Sequence, residues 1–358
     1  MQENLVLAKK ERIQYIDALR GFTMLLVVFS HVEIFGFYGI DGMPGPLSKL
    51  FITFRMPLFF FISGYISYKA NFDFTLKRTL KLVLKKTMVQ LVPTIVFGLF
   101  YTYFYLEGSW SDFLWNPKKM GYWFTISLLE MFLIYYIVRT TSYYLNKVLR
   151  KSVDVYPLLL LLLSSIMFLT KSFFVIGMPC EKLGNLFCFN DTFKYFHFFV
   201  IGLMASRYNK TFISFINNQY ILALFIFLFI SYLTLSYDSS TNRILNSLLE
   251  IVPRYSGLFI VFVFFYRYQS SFLNTTLLGN SLQYIGKRTL DIYMLHYFFI
   301  PHMPYLGDFF QRESNYLLEL LCGFGVSICV IILCLILSNV LRISPILAKV
   351  LFGSKTKI

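Results

Sequence analysis

The chain of 358 residues carries too few charges for a soluble protein. Its residues are 57% hydrophobic and 14% charged, whereas charged residues make up about 25% of an ordinary soluble domain. The apolar residues form blocks of roughly 20 residues, the length that crosses the hydrocarbon core of a bilayer. The net charge of +15 comes from short stretches between these blocks, a pattern that does not favour binding to nucleic acid.

The apolar blocks, taken in chain order, predict an all-α integral membrane protein with about ten transmembrane helices. The expected spans are 15–37, 47–68, 83–106, 121–144, 155–175, 193–208, 219–236, 249–267, 289–305 and 316–341. The polar stretches between them are too short to bury a core of their own. We therefore expect a single membrane domain over 1–358, with no soluble domain and a short basic tail at 342–358.

The positions of Lys and Arg predict how these helices are oriented, because cytoplasmic connections of membrane proteins are enriched in both residues. If both termini lie in the cytoplasm, most of the 33 Lys and Arg residues fall in cytoplasmic segments. The outer segments then hold only Lys49, Lys118, Lys119, Lys171, Lys182, Lys194, Arg243 and Arg312. Both termini are therefore expected in the cytoplasm, with the chain crossing a cell membrane (inner or plasma) several times.

Arg20 and His31 are candidate functional residues in the first span, because an ionisable side chain at bilayer depth is costly unless it faces protein or water. Their spacing puts them on one face of a helix, roughly 20° apart around the axis and about 16 Å apart along it. Arg20 is then near the inner surface and His31 in the outer half. The structural alternative is that Arg20 reaches the surface beside Asp17 and His31 bonds between helices.

Arg55 is expected about two turns into the second helix, at a depth similar to that of His31. Either it satisfies backbone carbonyl groups that Pro57 leaves free, or it binds an oxyanion, carboxylate or phosphate.

The cysteines fit no metal-ligand spacing, so no metal is expected. Cys180 and Cys188 are in an expected outer loop, where either a disulfide bridge or two free thiols are compatible with the sequence.

Five stretches of the sequence form a series. The first is Tyr15–Gly21, followed by His31 with ten residues between it and Arg20, and the others are Phe54–Tyr65, Tyr122–Phe124, Phe196–Gly202 and Ile285–His296. In order and spacing over residues 13–305, the series resembles the acyltransferase 3 family of integral membrane acyltransferases. The resemblance is specific for the family and not for one substrate.

This resemblance implies a ten-helix domain that moves an acyl group, usually acetyl, from cytoplasmic acetyl-CoA or another acyl-CoA to a hydroxyl of a cell-surface glycan or lipid-linked sugar. The arginine and histidine that such O-acetyltransferases require fall on Arg20 and His31, and the arginine of the second helix falls on Arg55. Membrane lipid is the expected environment. The oligomeric state and the acceptor stay open.

Acyl transfer to a hydroxyl needs a base and a positive group or donor for the oxyanion that forms. We expect His31 to take the hydroxyl proton or to carry the acyl group, and Arg55 to stabilise the oxyanion or orient the sugar. Arg20, with the basic stretch Lys77–Lys86, is expected to hold coenzyme A phosphates, although topology and lipid contacts also explain those lysines.

Three further candidates each have an alternative role. Glu130 either orients a buried histidine or arginine or forms a structural ion pair. Trp123 either stacks on a sugar ring as part of the substrate site or belongs to the interfacial aromatic belt. His296, with Asp291, either lines the substrate cavity in its cytoplasmic half or bonds between helices.

The alternative function is a transporter or flippase of lipid-linked sugars that transfers no acyl group. No internal repeat or inverted pair of broken helices, the usual mark of many transporters, is evident in the sequence. Incorporation of labelled acetyl into glycan discriminates the two functions.

The orientation is testable with a cysteine introduced near position 355. A membrane-impermeant maleimide should not label this cysteine in intact cells, because the tail is expected in the cytoplasm, and should label it after permeabilisation. A cysteine in the expected outer loop 107–120 is the positive control. Labelling near 355 in intact cells would contradict the orientation.

Overall fold

A computed structural model describes residues 13–39, 44–150, 154–175, 177–234 and 249–353. Helices account for 84% of the structure, and no strand occurs in the ranges just given. Two parts of the chain used in the sequence analysis lie outside the described residues, namely Arg243 and the end of the tail, 354–358.

The long helices follow the apolar blocks, and shorter helices connect them. The helices are Gln14–His31 (α1), Pro46–Ser67 (α2), Leu76–Tyr105 (α3), Trp110–Trp115 (α4), Trp123–Leu149 (α5), Tyr156–Thr170 (α6), Glu181–Phe187 (α7), Phe189–Arg207 (α8), Asn209–Ile216 (α9), Gln219–Thr234 (α10), Ile251–Arg267 (α11), Leu277–Lys287 (α12), Thr289–Leu295 (α13), Pro304–Glu313 (α14), Tyr316–Leu341 (α15) and Pro345–Phe352 (α16). A π-helical segment, Val32–Tyr38, continues α1.

Six helical segments of the described chain are long and apolar enough to cross a membrane. They are Gln14–Tyr38, Pro46–Ser67, Leu76–Tyr105, Trp123–Leu149, Tyr156–Phe174 and Tyr316–Leu341. Helices α9 and α10 meet at an angle of 66° and together form a bent seventh candidate. The protein is therefore a multi-pass helical membrane protein, with fewer spans identified by length and hydropathy than the ten expected.

The expected ninth span, 289–305, is not one helix. Helix α13 covers only its first seven residues. The α-helix ends at Leu295 and a 3-10 turn, His296–Phe298, follows it. Pro301 has no backbone N–H and disfavours helical geometry in the residue before it, so the chain does not resume a helix after this turn. Instead, the N–H of Met303 donates to the carbonyl of Gly36 at 2.7 Å, which ties this irregular segment to the π-helical end of α1.

Helix α3 begins at Leu76, earlier than the expected start at residue 83. The basic stretch Lys77–Lys86 is therefore helical and not a loop. Lysine and arginine favour helices, and their long side chains reach towards the membrane surface from a helix. This arrangement brings Lys86 within electrostatic range of Arg20 in α1.

Helices α1 and α12 touch at the level of their backbones. Gly21 of α1 lies against a carbonyl of α12, and Gly286 of α12 lies against the carbonyl of Asp17, so that a Cβ atom at either glycine would come within 1.9 Å of the facing oxygen. Helices α2 and α8 make a second reciprocal contact through Gly64 and Gly202. Small residues allow this close approach between membrane helices, and it fixes α1 beside the start of α13.

Replacing Gly21 with alanine should lower the thermal stability of the purified protein, because the added methyl group meets a backbone oxygen that cannot move away. Overpacking of this kind costs about 1–3 kcal/mol. Gly325→Ala on α15 is the matched control, since nothing lies within 4 Å of a Cβ atom there. The measurement is the fraction of protein that stays monodisperse after heating in detergent, and equal losses for both variants would contradict the close contact.

Candidate active site

His31 of α1 and His296, in the 3-10 turn after α13, contact each other directly. Nδ1 of His31 lies 2.7 Å from Nε2 of His296, and the two rings stack with centroids 4.9 Å apart and planes at 14°. Of the two roles considered for His296, the structure shows the hydrogen bond between helical segments. The contact brings His296 to the level of His31 along α1, whereas the sequence analysis expected the two side chains in opposite halves of the membrane.

Backbone carbonyl groups fix the tautomer of His296. Its Nδ1 lies 2.8 Å from the carbonyl oxygen of Tyr293 and 3.1 Å from that of Ile292. Because a carbonyl oxygen only accepts, Nδ1 carries a hydrogen, and in the neutral ring Nε2 is the acceptor. His31 must then donate from its Nδ1. The lone pair on Nε2 of His31 is consequently the one available to act as a base or nucleophile.

The hydroxyl group of Tyr297 faces this nitrogen. It is 3.3 Å from Nε2 of His31 and 3.2 Å from the carbonyl oxygen of Gly121, to which it donates. Gly121 has a φ of +102°, and a Cβ atom there would lie 2.2 Å from the Tyr297 hydroxyl oxygen. The sequence analysis missed Tyr297, for which the available signal was its position directly after His296.

Arg20 and His31 contact opposite ends of one short segment. Nη2 of Arg20 donates to the hydroxyl of Thr289 at 3.1 Å, and His31 bonds to His296 at the other end. The two residues therefore share one face of α1, as their spacing predicts.

Arg20 belongs to a group of basic side chains near the amino-terminal end of α1. Its Nη1 lies 3.6 Å from a carboxylate oxygen of Asp17, and Arg20, Lys69 and Lys85 are all within electrostatic range of Lys86. In the connection between α2 and α3, burial and the neighbouring Lys85 lower the pKa of Lys69. Like charges held this close favour a bound anion.

Arg55 lies between the histidine pair and a cavity of about 370 Å³. The side chain is within electrostatic range of His31 and Tyr297. Its Nη1 donates to the carbonyl of Ile52 at 3.1 Å, so part of the guanidinium does satisfy the backbone. Its Nε is buried and has no hydrogen-bond partner among the described residues, which leaves a donor for a ligand.

The cavity wall combines basic and aromatic side chains. Arg55, Lys118, Trp123, Tyr195, Glu250 and Arg254 all contribute to it. The ring of Trp123 stacks on that of Tyr195, with centroids 5.8 Å apart and planes at 24°, and Nζ of Lys118 lies 4.9 Å from the Trp123 ring centroid. Trp123 therefore contributes an aromatic surface to the cavity wall, and its expected role in stacking on a sugar stays a prediction.

The sequence analysis did not assign Lys118, Tyr195 or Arg254 to a site. For Lys118, the signal was its place among the few basic residues of the expected outer segments. For Arg254, the signal was a charged side chain within an expected membrane span.

Glu130 is not part of this arrangement. Its Oε2 accepts a hydrogen bond from the hydroxyl of Thr192 at 2.5 Å, and in the described chain it makes no hydrogen bond or ion pair with a histidine or an arginine. The expected role of orienting a buried histidine is therefore wrong, because Glu130 lies on the face of α5 that packs against α8. His296 orients His31 instead.

A further histidine and two cysteines have structural roles. Nδ1 of His197 on α8 lies 2.6 Å from the hydroxyl of Tyr255 on α11, which joins two helices. Cys180 and Cys188 are free thiols, so the expected alternative of a bridge is not present. Burial raises the pKa of Cys188 to about 12, which keeps this thiol protonated and unreactive at neutral pH.

The tautomer of His31 is open to measurement because the chain has only four histidines. In protein labelled with ¹⁵N-histidine, nitrogen chemical shifts should show His31 protonated at Nδ1 and unprotonated at Nε2. His296→Ala should convert His31 to a mixture of tautomers, because the acceptor for Nδ1–H is lost. His302→Ala, which removes an exposed histidine, should leave the spectrum of His31 unchanged. A His31 ring protonated at Nε2 in the unmodified protein would contradict the assignment.

Curated relatives of this chain include Glucans biosynthesis protein C of Escherichia coli strain K12, which is 24% identical over 224 residues covering 54% of this chain and 58% of the relative. In this match the chain spans just over half the length of the relative. The protein of the same name from Escherichia coli strain UMN026 is 24% identical over 359 residues, covering 90% of this chain and 91% of the relative. No solved structure matches the chain.

The family model described as "Acyltransferase domain" matches residues 13–336. This range includes Arg20, both histidines of the pair and Arg55. The chain therefore belongs to the acyltransferase 3 family of integral membrane acyltransferases.

Proposed function

We propose that this acyltransferase moves an acetyl or other acyl group from a cytoplasmic acyl-CoA to a hydroxyl of a cell-surface glycan or lipid-linked sugar. The observation that carries the proposal is the His31–His296 pair, which leaves the lone pair on Nε2 of His31 as a proton acceptor, 3.3 Å from the Tyr297 hydroxyl and within electrostatic range of Arg55 in the cavity wall. The name of the relatives, Glucans biosynthesis protein C, supports a glycan as the acceptor.

The proposed orientation has ten spans with both termini in the cytoplasm. It puts Arg20 at the inner end of α1 and the cavity beside Arg55 on the outer side. The donor and the acceptor then approach from opposite faces of the membrane and meet at His31. Irregular backbone such as 296–303 is tolerated at membrane depth where protein surrounds it, which allows a short α13 within one of these spans.

In the proposed reaction, His31 accepts the hydroxyl proton at Nε2 while the acceptor oxygen bonds to the thioester carbonyl carbon. Arg55 neutralises the negative charge that develops on the carbonyl oxygen. When the carbon–sulfur bond breaks, His31 returns its proton to the sulfur, so no proton is gained or lost overall. His296 stabilises the transient positive charge on His31 through the Nδ1–H hydrogen bond.

The basic residues at the inner end of α1 suit the phosphate groups of an acyl-CoA. Arg20 supplies a planar guanidinium that pairs with phosphate oxygens, and Lys69, Lys85 and Lys86 add positive charge nearby. Their mutual repulsion is relieved when an anion binds among them. We propose that Arg20 holds the donor there, with Trp123 on the acceptor.

The test is the incorporation of radiolabelled acetyl from acetyl-CoA into glycan by membranes that contain the protein. His31→Ala should lower the rate by about 100-fold or more, because positioned acid–base catalysis contributes roughly 10²–10⁴-fold. His296→Gln should retain more activity than His296→Ala, since the glutamine carbonyl can still accept from Nδ1 of His31. His302→Ala is the matched control and should match the unmodified protein.

Two outcomes would decide against the proposal. Near-normal incorporation with His31→Ala would exclude the histidine as the working base. Movement of a lipid-linked sugar across the membrane without acyl incorporation would favour the alternative transporter.

A further inference from the structure

The cavity beside Arg55 gathers basic side chains on the side of the membrane where they are expected to be scarce. Lys118, Lys171 and Lys194 belong to the outer segments predicted from the sequence, and Lys118 and Arg254 line the cavity itself. Lys171 is within electrostatic range of Lys194, Arg254 and Glu250. Membrane topology does not explain these residues, because it enriches lysine and arginine on the cytoplasmic side.

The nearby carboxylates neutralise only part of this charge. Nζ of Lys118 lies 2.6 Å from Oδ1 of Asp191, and Nη2 of Arg254 lies 2.7 Å from Oε2 of Glu250. No carboxylate of the described chain forms an ion pair with Arg55, whose Nε is also without a partner there. The cavity therefore keeps a positive potential.

Aromatic rings form the other part of the wall. Trp123, Tyr195 and Phe60 form a cluster in which the Tyr195 ring centroid lies 5.8 Å from that of Trp123 and 5.3 Å from that of Phe60, and those two are 6.2 Å apart. Trp123 is half-buried and contributes to the lining of the cavity. A flat aromatic face beside cationic donors fits a ring that is apolar on one side and carries an anion on its edge.

We infer that the outer cavity binds a glycan bearing a negatively charged group, either a phosphate ester or a carboxylate, next to the sugar ring that receives the acyl group. Arg254 and Lys118 bind the anion, Trp123 stacks on the sugar, and Arg55 is left for the carbonyl oxygen of the donor. This inference rests on the proposed function and specifies the acceptor class of the same site.

Tryptophan fluorescence provides a direct binding test, because the chain has three tryptophans. The double variant Trp110→Phe, Trp115→Phe leaves Trp123 as the only reporter. The purified protein is titrated at constant ionic strength with glucose 6-phosphate, glucuronate, glucose and inorganic phosphate. One or both charged sugars should bind at least roughly tenfold more tightly than glucose and than inorganic phosphate, and the tighter of the two identifies the anion.

Charge variants separate an electrostatic role from a structural one. Arg254→Gln should weaken binding of the charged sugar by roughly fivefold, whereas Glu250→Gln should strengthen it, because removing a carboxylate raises the local potential. Lys182→Gln, at an exposed lysine of α7, is the matched control and should change nothing. A purely structural role of the Arg254–Glu250 pair predicts weaker binding in both variants, and that result would overturn the inference.

Equal affinity for glucose and both charged sugars would also overturn the inference. The same holds if inorganic phosphate binds as tightly as glucose 6-phosphate, or if neither charged sugar gives a saturable response. The titration requires no acyl transfer, so its failure is separate from failure of the proposed function. Incorporation of acetyl into an uncharged glycan, with unchanged KM in Arg254→Gln, would remove this inference and leave the proposed function standing. Tight binding of charged sugars without acyl incorporation would remove the proposed function and leave the binding of a charged sugar standing.

Discussion

The arrangement of the active site depends on the direct backbone contact between α1 and α12. Between helices in a bilayer, lipid supplies no hydrophobic driving force, so close packing must hold them together. The reciprocal glycines Gly21 and Gly286 allow the close approach of α1 and α12 near the amino-terminal end of α1. From there α13 extends along α1 until His296 meets His31 at 2.7 Å. A shift of about 1 Å in the contact between α1 and α12 would therefore also displace His296 from His31. The hydrogen bond between the two rings tolerates little change in length.

In the candidate site, positively charged side chains lie on both sides of the histidine pair. Arg20 lies near one end of α1 and Arg55 borders the cavity, while the group between them is a neutral pair of histidines. A carboxylate such as Glu130 in place of His296 would bring another charge into the membrane interior, which is costly without full compensation. The carbonyls of Ile292 and Tyr293 set the ring orientation without adding a charge. These carbonyl groups explain how the histidine pair is oriented without a carboxylate, since Glu130 lies elsewhere.

Local sequence patterns predicted the features that depend on local geometry. Helix positions follow from runs of apolar residues, and the common face of Arg20 and His31 follows from their spacing on one helix. Contacts between distant segments did not follow from the same patterns. The break near Pro301, the contact of His296 with His31, and the contribution of Arg254 to the cavity depend on how helices pack. For Glu130, the residue type indicated a buried polar contact but could not indicate that Thr192 makes it.

The shortness of α13 also has a consequence for biogenesis. Its seven residues are about 10 Å long, a third of the roughly 30 Å hydrocarbon thickness. Backbone groups in the irregular segment after it would be unsatisfied in lipid. The segment therefore cannot leave the translocation channel as an independent span and needs neighbouring helices around it. Because α13 packs against α15 as well as α1, its protein surroundings are complete only once the last long helix is in place, and the contact between His31 and His296 depends on that helix too.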